Sequence, residues 1–309
     1  MSKYQGAILA ELTRNGIVES VHSGHLLILN KDGSLDLSKG DIDLPIFPRS
    51  AVKVIQATAM VRAGLKLPAE QLALACSSHS GSKLHQDTVL KILAGAGLSE
   101  SDLQCAFDKP LGEKERNEWG DRDATRLAMN CSGKHSGMLA ACVAAGWDTK
   151  TYLDMEHPLQ VSYRKELEAL AGEKVSNKTF DGCGAPLFAI SVAGLARAIH
   201  NVTISKDPVH QGVIAACLAN PEMVAGIGRS DTELMKAVPG LFLKIGAEGV
   251  QAAFMPDGST VAFKVSDGSD RAHTVILQDA FAKLGFNFEV KHLEVLGGGK
   301  VIGEIRASK

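Results

Sequence analysis

The sequence predicts a mixed α/β (α+β) fold, in which strands from both ends of the chain form one antiparallel sheet packed against a central helical region. The first 45 residues read as strands and turns, with a hairpin over 25–37. Helical spacing dominates the middle of the chain, and strand-like alternation returns at 250–265 around a Pro-Asp-Gly turn. We therefore expect 1–309 to form a single domain, with the helical part at roughly 50–240 and the sheet built from 1–45 and 245–309.

The helices follow one another through the centre of the sequence. The first begins behind Ser50, carries apolar residues along one face and ends at Gly64. Apolar periodicity predicts the others at 68–76, 86–96, 133–145, 158–171, 186–200, 208–219, 230–237 and 275–284. A last hairpin is expected over 292–305, where "GGGK" is a turn rather than a phosphate loop, because it lacks the upstream glycine and the Ser or Thr after the lysine.

Composition excludes several classes of protein. The chain has 309 residues, 45% of them hydrophobic, and a formal net charge of −2. It has no basic patch, which argues against nucleic acid and anionic membranes as partners. It also lacks an apolar run near the ~20 residues that span a bilayer. Its first residues lack the features of a secretory signal, so we expect a cytoplasmic protein whose six cysteines need no disulfides.

A serine and a lysine stand one helical turn apart in "FPRSAVKVIQATAM", residues 47–60. Pro48 favours an extended entry, so Ser50 falls at the N-cap or in the first turn of the helix. Lys53 lies on the same face of an otherwise apolar helix, where a dehydrated lysine can act as the base for a hydroxyl. A capping serine beside a lysine that extends along apolar surface explains the segment equally well. Spacing does not decide between them, since Ser-x-x-Lys also occurs at 80–83 and 162–165.

Three further segments favour a functional site. The polar run "CSSHSGSKLHQD", 76–87, follows an apolar helix and contains more serine and histidine than a turn needs. In "NCSGKHSGM" and "FDGCGAPLFA", 130–138 and 180–189, a cysteine stands in a tight turn just ahead of a predicted apolar helix. A helix N-terminus suits a thiolate that acts as a nucleophile or binds a metal, and two thiolates with a nitrogen donor suit zinc. Two buried thiols under glycine turns are the alternative.

Together these motifs resemble the rhizobial-type (class 3) L-asparaginases, whose fold is similar to that of serine β-lactamases. The resemblance runs from "RNGIVESVHSGHLLILNKDG" through "FPRSAVKVIQA", "LALACSSHSG", "NCSGKHSGM" and "DGCGAP" to "GIGRSDTELM" and "FKVSDGSDR". It implies a homodimer and the following site residues: Ser50 as the nucleophile, Lys53 as its base, Ser80 and Lys264 as a second pair, Arg49, His135 and Asp181 as substrate contacts, and Cys131, Lys134 and Cys183 as ligands of a metal, usually Zn²⁺.

The expected reaction is hydrolysis of L-asparagine, a small-molecule substrate, to L-aspartate and ammonia. The chain departs from the family at Lys83, which offers Ser80 a partner that competes with Lys264. A glutaminase or another serine amidohydrolase of the same fold is the nearest alternative. β-Lactam chemistry is disfavoured, because "KVSDG" replaces a Lys-Thr/Ser-Gly strand. A zinc-binding protein without catalysis is the other alternative, although it would leave Ser50 and Lys53 unexplained.

Overall fold

The structure, a computed structural model, describes residues 6–289 and 293–308. In these ranges the strands, numbered in chain order, are β1 (Ala7–Arg14), β2 (Ile17–Leu29), β3 (Leu35–Lys39), β4 (Pro45–Ile46), β5 (Asn177–Phe180), β6 (Pro186–Ser191), β7 (Phe242–Gly246), β8 (Val250–Phe254), β9 (Thr260–Val265), β10 (Glu294–Gly297) and β11 (Lys300–Ala307). The α-helices are α1 (Lys53–Arg62), α2 (Ala69–Ala75), α3 (Lys83–Gly95), α4 (Glu113–Trp119), α5 (Ser132–Ala145), α6 (Pro158–Ala171), α7 (Val192–Ile204), α8 (Pro208–Ala219), α9 (Pro221–Val224), α10 (Ser230–Ala237) and α11 (His273–Lys283).

The two ends of the chain build one antiparallel sheet. Its strand order is β10-β11-β1-β2-β9-β8-β7, and β3 pairs with β2. The β2–β9 register places Leu26 opposite Phe263, so apolar side chains of both chain ends share one core face. This confirms the predicted fold class and the hairpins over 25–37 and 250–265. In the closing hairpin, residue 292 lies outside the described residues, whereas β10 and β11 pair as predicted.

The central helices agree with the apolar periodicity. Six predicted helices are confirmed to within two residues at either end, namely those at 68–76, 133–145, 158–171, 208–219, 230–237 and 275–284. Helix α3 begins earlier than predicted, at Lys83, because the Ser82 side chain accepts a hydrogen bond from the His85 backbone N–H and caps the helix. Helix α4 was not predicted, and its short sequence is largely charged and exposed.

The helix predicted at 186–200 is wrong in its first part. Residues Pro186–Ser191 form β6, the central strand of a small sheet in the order β4-β6-β5. All six side chains of β6 are buried, and such a short apolar run fits a strand or a helix equally well from sequence. The helix starts only at Val192, where the Ser191 hydroxyl accepts a hydrogen bond from the Gly194 N–H.

Helix packing sets the position of the candidate site. Helix α7 packs against the large sheet, and α1 lies among α5, α6 and α8. A 3₁₀ turn over Arg49–Val52 leads into α1 and packs against the edge strand β7. The start of α1, the start of α5 and β7 therefore converge in the interior. Across the described residues, no helix is long and apolar enough to cross a membrane.

Gly133 lets α5 approach α2 closely, which generates a test of the packing. A Cβ at Gly133 would lie 2.5 Å from the Leu74 carbonyl oxygen, whereas a Cβ at Gly212 in α8 would meet no atom within 4 Å. We expect Gly133→Ala to lower the free energy of unfolding by about 1–3 kcal/mol, because overpacking outweighs the gain in helix propensity. Gly212→Ala should raise it by up to about 1 kcal/mol. Urea unfolding followed by circular dichroism measures both, and shifts of the same sign would contradict the packing.

Candidate active site

Lys53 lies at the centre of a buried polar array. It is the first residue of α1 and is 1% exposed. Its Nζ donates hydrogen bonds to Ser78 Oγ at 3.0 Å, to Cys131 Sγ at 3.0 Å and to the carbonyl oxygen of Ser77. The predicted lysine in an apolar wall is therefore present, but its ammonium contacts Ser78. The Ser50 side chain, in the preceding 3₁₀ turn, forms no hydrogen bond with the described residues.

A second buried lysine completes the array around Ser78. Lys244 Nζ lies 3.0 Å from Ser78 Oγ and donates to the Ile245 carbonyl oxygen at 2.8 Å. Burial, followed by the positive charge of Lys53, lowers the pKa of Lys244 to about 7. A large fraction of Lys244 is then neutral near pH 7, and a neutral amine can accept a proton from the Ser78 hydroxyl. Ser78 thus stands between one lysine that donates and one that can accept.

The predicted second pair is corrected by this geometry. Ser80 Oγ donates to Glu115 Oε1 at 3.1 Å, on the side of α4, and so does not meet Lys264. Lys264 Nζ instead donates to the Glu248 and Val265 carbonyl oxygens at 2.5 and 2.7 Å. It stands on β9, separated by β8 from the edge strand β7 that packs against the 3₁₀ turn.

Lys83, the other partner that the sequence offered to Ser80, lies at the surface. Its Nζ pairs with Asp87 Oδ2 at 2.6 Å, one turn along α3. Neither predicted lysine therefore reaches Ser80, and the second serine–lysine pair in the structure is Ser78 with Lys244.

The three predicted metal ligands converge beside Lys53. Lys134 Nζ donates to Cys183 Sγ at 3.1 Å, and the thiols of Cys131 and Cys183 lie within hydrogen-bonding reach of each other. The hydrogen bond to Cys183 and burial raise the pKa of Cys131. The hydrogen bond from Cys131 lowers the pKa of Cys183, and Lys134 lowers it further against the effect of burial. Of the two thiols, Cys183 is therefore the one whose ionisation the surroundings favour, beside the Lys134 amine.

The predicted substrate contacts surround the same cluster. Arg49 Nη2 and Nε lie 2.7 and 2.8 Å from Asp181 Oδ1, so these two residues neutralise each other. Although burial opposes ionisation, Lys134 and Arg49 hold the pKa of Asp181 below its ordinary value. His135 Nδ1 lies 2.7 Å from the Tyr152 hydroxyl, and its Nε2 has no hydrogen-bond partner among the described residues. Burial and then Lys134 hold the pKa of His135 well below its usual range, so its ring is neutral.

Two cavities flank this array. The smaller, of about 320 Å³, is lined by Ser50, Ser78 and Lys244, and also by Asn130, Arg229, Glu248 and Asp270 among others. The larger cavity has a volume of about 710 Å³ and is mostly apolar. It is lined by Arg49, Glu248 and Lys264, by residues 44–47 and by several residues of 176–180. Glu248 borders both cavities. The two serines and the low-pKa lysine therefore face one small cavity, with Arg49 and Lys264 on the wall of the other.

The comparison with protein families places the sequence in one family. The model of L-asparaginase II matches residues 10–307, nearly the whole chain. The chain belongs to the L-asparaginase II family. The resemblance to rhizobial-type L-asparaginases is thereby confirmed, and the family is one of amidohydrolases that act on small molecules. No curated protein sequence matches the chain.

Solved structures similar to this member of the L-asparaginase II family include two from bacteria. A "putative beta-lactamase" from Bacteroides dorei DSM 17855 has a TM-score of 0.48 and 11% identity, over 83% of this chain and 92% of that one. A β-lactamase from Burkholderia vietnamiensis has a TM-score of 0.36 and 12% identity, over 85% of this chain and 92% of that one.

Two residues of the candidate site, Ser78 and Lys244, are absent from the sequence-based prediction. Ser78 lies inside the predicted polar loop 76–87, two positions before Ser80, the serine that the family resemblance implies. Lys244 interrupts the apolar run "LFLKIG", and a lone lysine in a buried strand is the signal that could have identified it. The predicted sheet begins at 245 and so does not include Lys244.

The titration of Lys244 has a consequence for stability. Its pKa is about 7 in the folded chain. An ordinary lysine has a pKa of ~10.4. Between pH ~7 and pH ~10.4 the Lys244 side chain is therefore protonated in the unfolded chain but largely neutral in the folded chain. Relative to Lys244→Met, the free energy of unfolding of the wild type should rise by about 1.4 kcal/mol per pH unit above pH ~7. Urea unfolding from pH 6 to 9 measures the difference. Lys91→Met, at an exposed position of α3, should follow the wild type at every pH; a pH-independent difference for Lys244→Met would contradict the assignment.

Proposed function

We propose that the protein hydrolyses L-asparagine to L-aspartate and ammonia, with Ser50 as the nucleophile. The observation that carries the proposal is the buried Lys53–Ser78–Lys244 array, which borders the same small cavity as Ser50. A serine hydroxyl needs a nearby base to become a nucleophile, and a lysine of lowered pKa can be that base. Membership in the L-asparaginase II family supports the amide as the bond that is cleaved.

In the first half of the reaction, Ser50 Oγ attacks the side-chain amide carbon of asparagine. Its proton passes through the Ser78 hydroxyl to neutral Lys244. Lys53, which the sequence assigned as the base, acts through Ser78 by donating to its oxygen. The Ser50 backbone N–H stabilises the oxyanion of the tetrahedral intermediate, since the Ala51 N–H already donates to the Pro48 carbonyl oxygen.

The intermediate then collapses to an acyl-enzyme. The C–N bond breaks, and the proton held by Lys244 returns through Ser78 to the leaving nitrogen, which departs as ammonia. Water enters next and loses a proton along the same route as it attacks the ester carbon. Aspartate leaves, and Ser50 Oγ regains its proton.

The nucleophile assignment predicts a complete loss of turnover in Ser50→Ala. No ester can form without the Ser50 hydroxyl, so we expect ammonia release from L-asparagine to fall to background. Mass spectrometry of acid-quenched protein should find an aspartyl adduct on the wild type and none on the variant. Glutamine in place of asparagine gives the amide preference in the same ammonia assay. Turnover or an adduct retained by Ser50→Ala would remove Ser50 from this role.

Two neighbouring serines supply matched controls for the proton route. Ser78→Ala should lower kcat by about 100- to 10,000-fold, the usual loss when acid–base transfer is removed, yet leave the nucleophile in place. Ser80→Ala should lower kcat by less than about tenfold, because Ser80 contacts Glu115 rather than the lysines. An equal loss in both variants would contradict the route through Ser78.

We also propose a zinc site at Cys131, Lys134 and Cys183. Within the described ranges, no cluster of three or more His, Cys, Asp or Glu side chains suits a metal ion, so the site requires the lysine as its third donor. The donors fit, since two adjacent sulfurs and a nitrogen suit zinc with one position left open. Bound zinc would act as a Lewis acid that orients the substrate beside the serines. Because a lysine ligand must be neutral, its affinity should fall at low pH.

Zinc binding can be tested without turnover. Titration of the protein against a zinc-chelating dye should find one strong site in the wild type, weakened by more than about 100-fold in Cys183→Ser, because a thiolate donor is lost. Cys142→Ser, a buried cysteine further along α5, is the matched control and should retain the wild-type affinity. Unchanged affinity in Cys183→Ser would exclude this site.

A further inference from the structure

We propose that Arg229 and Asp270 recognise the α-carboxylate and the α-ammonium of the substrate. The inference rests on the proposed function and goes beyond it, since it names the groups that would make the small cavity specific for a free amino acid. Both residues line the cavity that Ser50, Ser78 and Lys244 also line.

The cation implied by the family resemblance is already neutralised. Arg49 is ion-paired with Asp181 at 2.7 Å and lines the larger apolar cavity. An incoming carboxylate would have to displace Asp181, whose Oδ1 is contacted by both Nη2 and Nε of Arg49. Arg229, by contrast, forms no ion pair with any residue in 6–289 or 293–308, and it lines the cavity of the two serines.

The charges around Arg229 favour an anion in this cavity. Its positive charge is close enough to contribute to the lowered pKa of Lys244, after burial and Lys53. Asp231, two residues further along the chain, is fully buried, and burial raises its pKa against the opposing effects of Lys244 and Arg229. Arg229 has no ion-pair partner among the described residues, so its guanidinium on the cavity wall is available to a ligand. A guanidinium binds a carboxylate through two parallel hydrogen bonds, which suits this role.

Backbone hydrogen bonds hold the main chain at both Arg229 and Asp270. Arg229 precedes α10, where its N–H donates to the Gly226 carbonyl at 3.1 Å and its own carbonyl accepts from the Glu233 N–H at 3.0 Å. The Asp270 carbonyl accepts from the His273 N–H at 3.0 Å at the start of α11.

The loop that carries Asp270 is also tied to the sheet. His22 of β2 lies 2.7 Å from Asp267 Oδ2, and Arg271 Nε donates to the other ring nitrogen of His22 at 3.2 Å. A cation on one element and a carboxylate on another are thus presented to the same cavity, the arrangement that an amino-acid zwitterion requires. Preorganised contacts of this kind give specificity, because an analogue that lacks one charge leaves a protein group unpaired.

The experiment compares L-asparagine with two analogues that each lack one charge. 3-Aminopropanamide keeps the amide and the amine but lacks the α-carboxylate, and succinamate keeps the carboxylate but lacks the amine. Arg229→Gln should lower kcat/KM for L-asparagine by about 100-fold or more, mainly through KM, and leave 3-aminopropanamide within about threefold of the wild type. Asp270→Asn should show the same selective loss toward L-asparagine and spare succinamate.

Arg49→Gln is the discriminating control, and it should lower activity toward L-asparagine and 3-aminopropanamide by the same factor. Equal losses on both substrates in Arg229→Gln, or a selective loss in Arg49→Gln, would overturn the inference. Arg229→Lys should retain part of the selectivity, which separates loss of the charge from a folding defect.

If the wild type releases no ammonia from asparagine, the proposed function fails. Calorimetric binding of L-aspartate to the wild type and to Arg229→Gln then decides on the carboxylate subsite independently.

Discussion

The interior of this protein depends on the hydrogen bonds of one buried lysine. Lys53 donates to Ser78, to the Ser77 carbonyl and to Cys131, and in this way it joins the serine pair to the thiol cluster. A buried ammonium is costly unless each of its hydrogens finds an acceptor. Three acceptors from two different segments meet that requirement, so the loop at 77–78 and the start of α5 are held where Lys53 needs them.

The array continues in both directions from Lys53. Toward β7 it passes through Ser78 to Lys244, and toward the turn before β6 it passes through Cys131, Cys183 and Lys134. Burial and the nearby positive charge of Lys53, which shares the Ser78 hydroxyl, lower the pKa of Lys244 to about 7. The same buried contacts that the fold requires therefore produce a group able to accept a proton near pH 7.

Backbone conformation marks the same region. Arg49 and Glu248 are two of the non-glycine residues with positive φ, at 51° and 63°. Such conformations cost of order 1–3 kcal/mol and persist where surrounding contacts hold them. For Arg49 these contacts are the ion pair with Asp181 and the close packing of Gly246 against the turn, where an added Cβ would lie 2.6 Å from the Pro48 carbonyl oxygen. The strain fixes the direction in which Ser50 enters the turn.

The sequence by itself determined the fold class, most of the helices and the segments that carry the site, because apolar periodicity, turn residues and cap residues act over short distances. The motifs and the family resemblance also singled out Lys53, Cys131, Lys134 and Cys183, which the structure brings into one buried cluster. Only the tertiary structure decided which side chains pair with one another. It paired Ser78 with Lys244 in place of Ser80 with Lys264, paired Arg49 with Asp181, and made 186–191 a strand. These choices depend on which strand forms the edge beside the 3₁₀ turn and on which acceptors a buried ammonium can reach. Both are contacts between residues far apart in the chain, and local sequence patterns do not encode them.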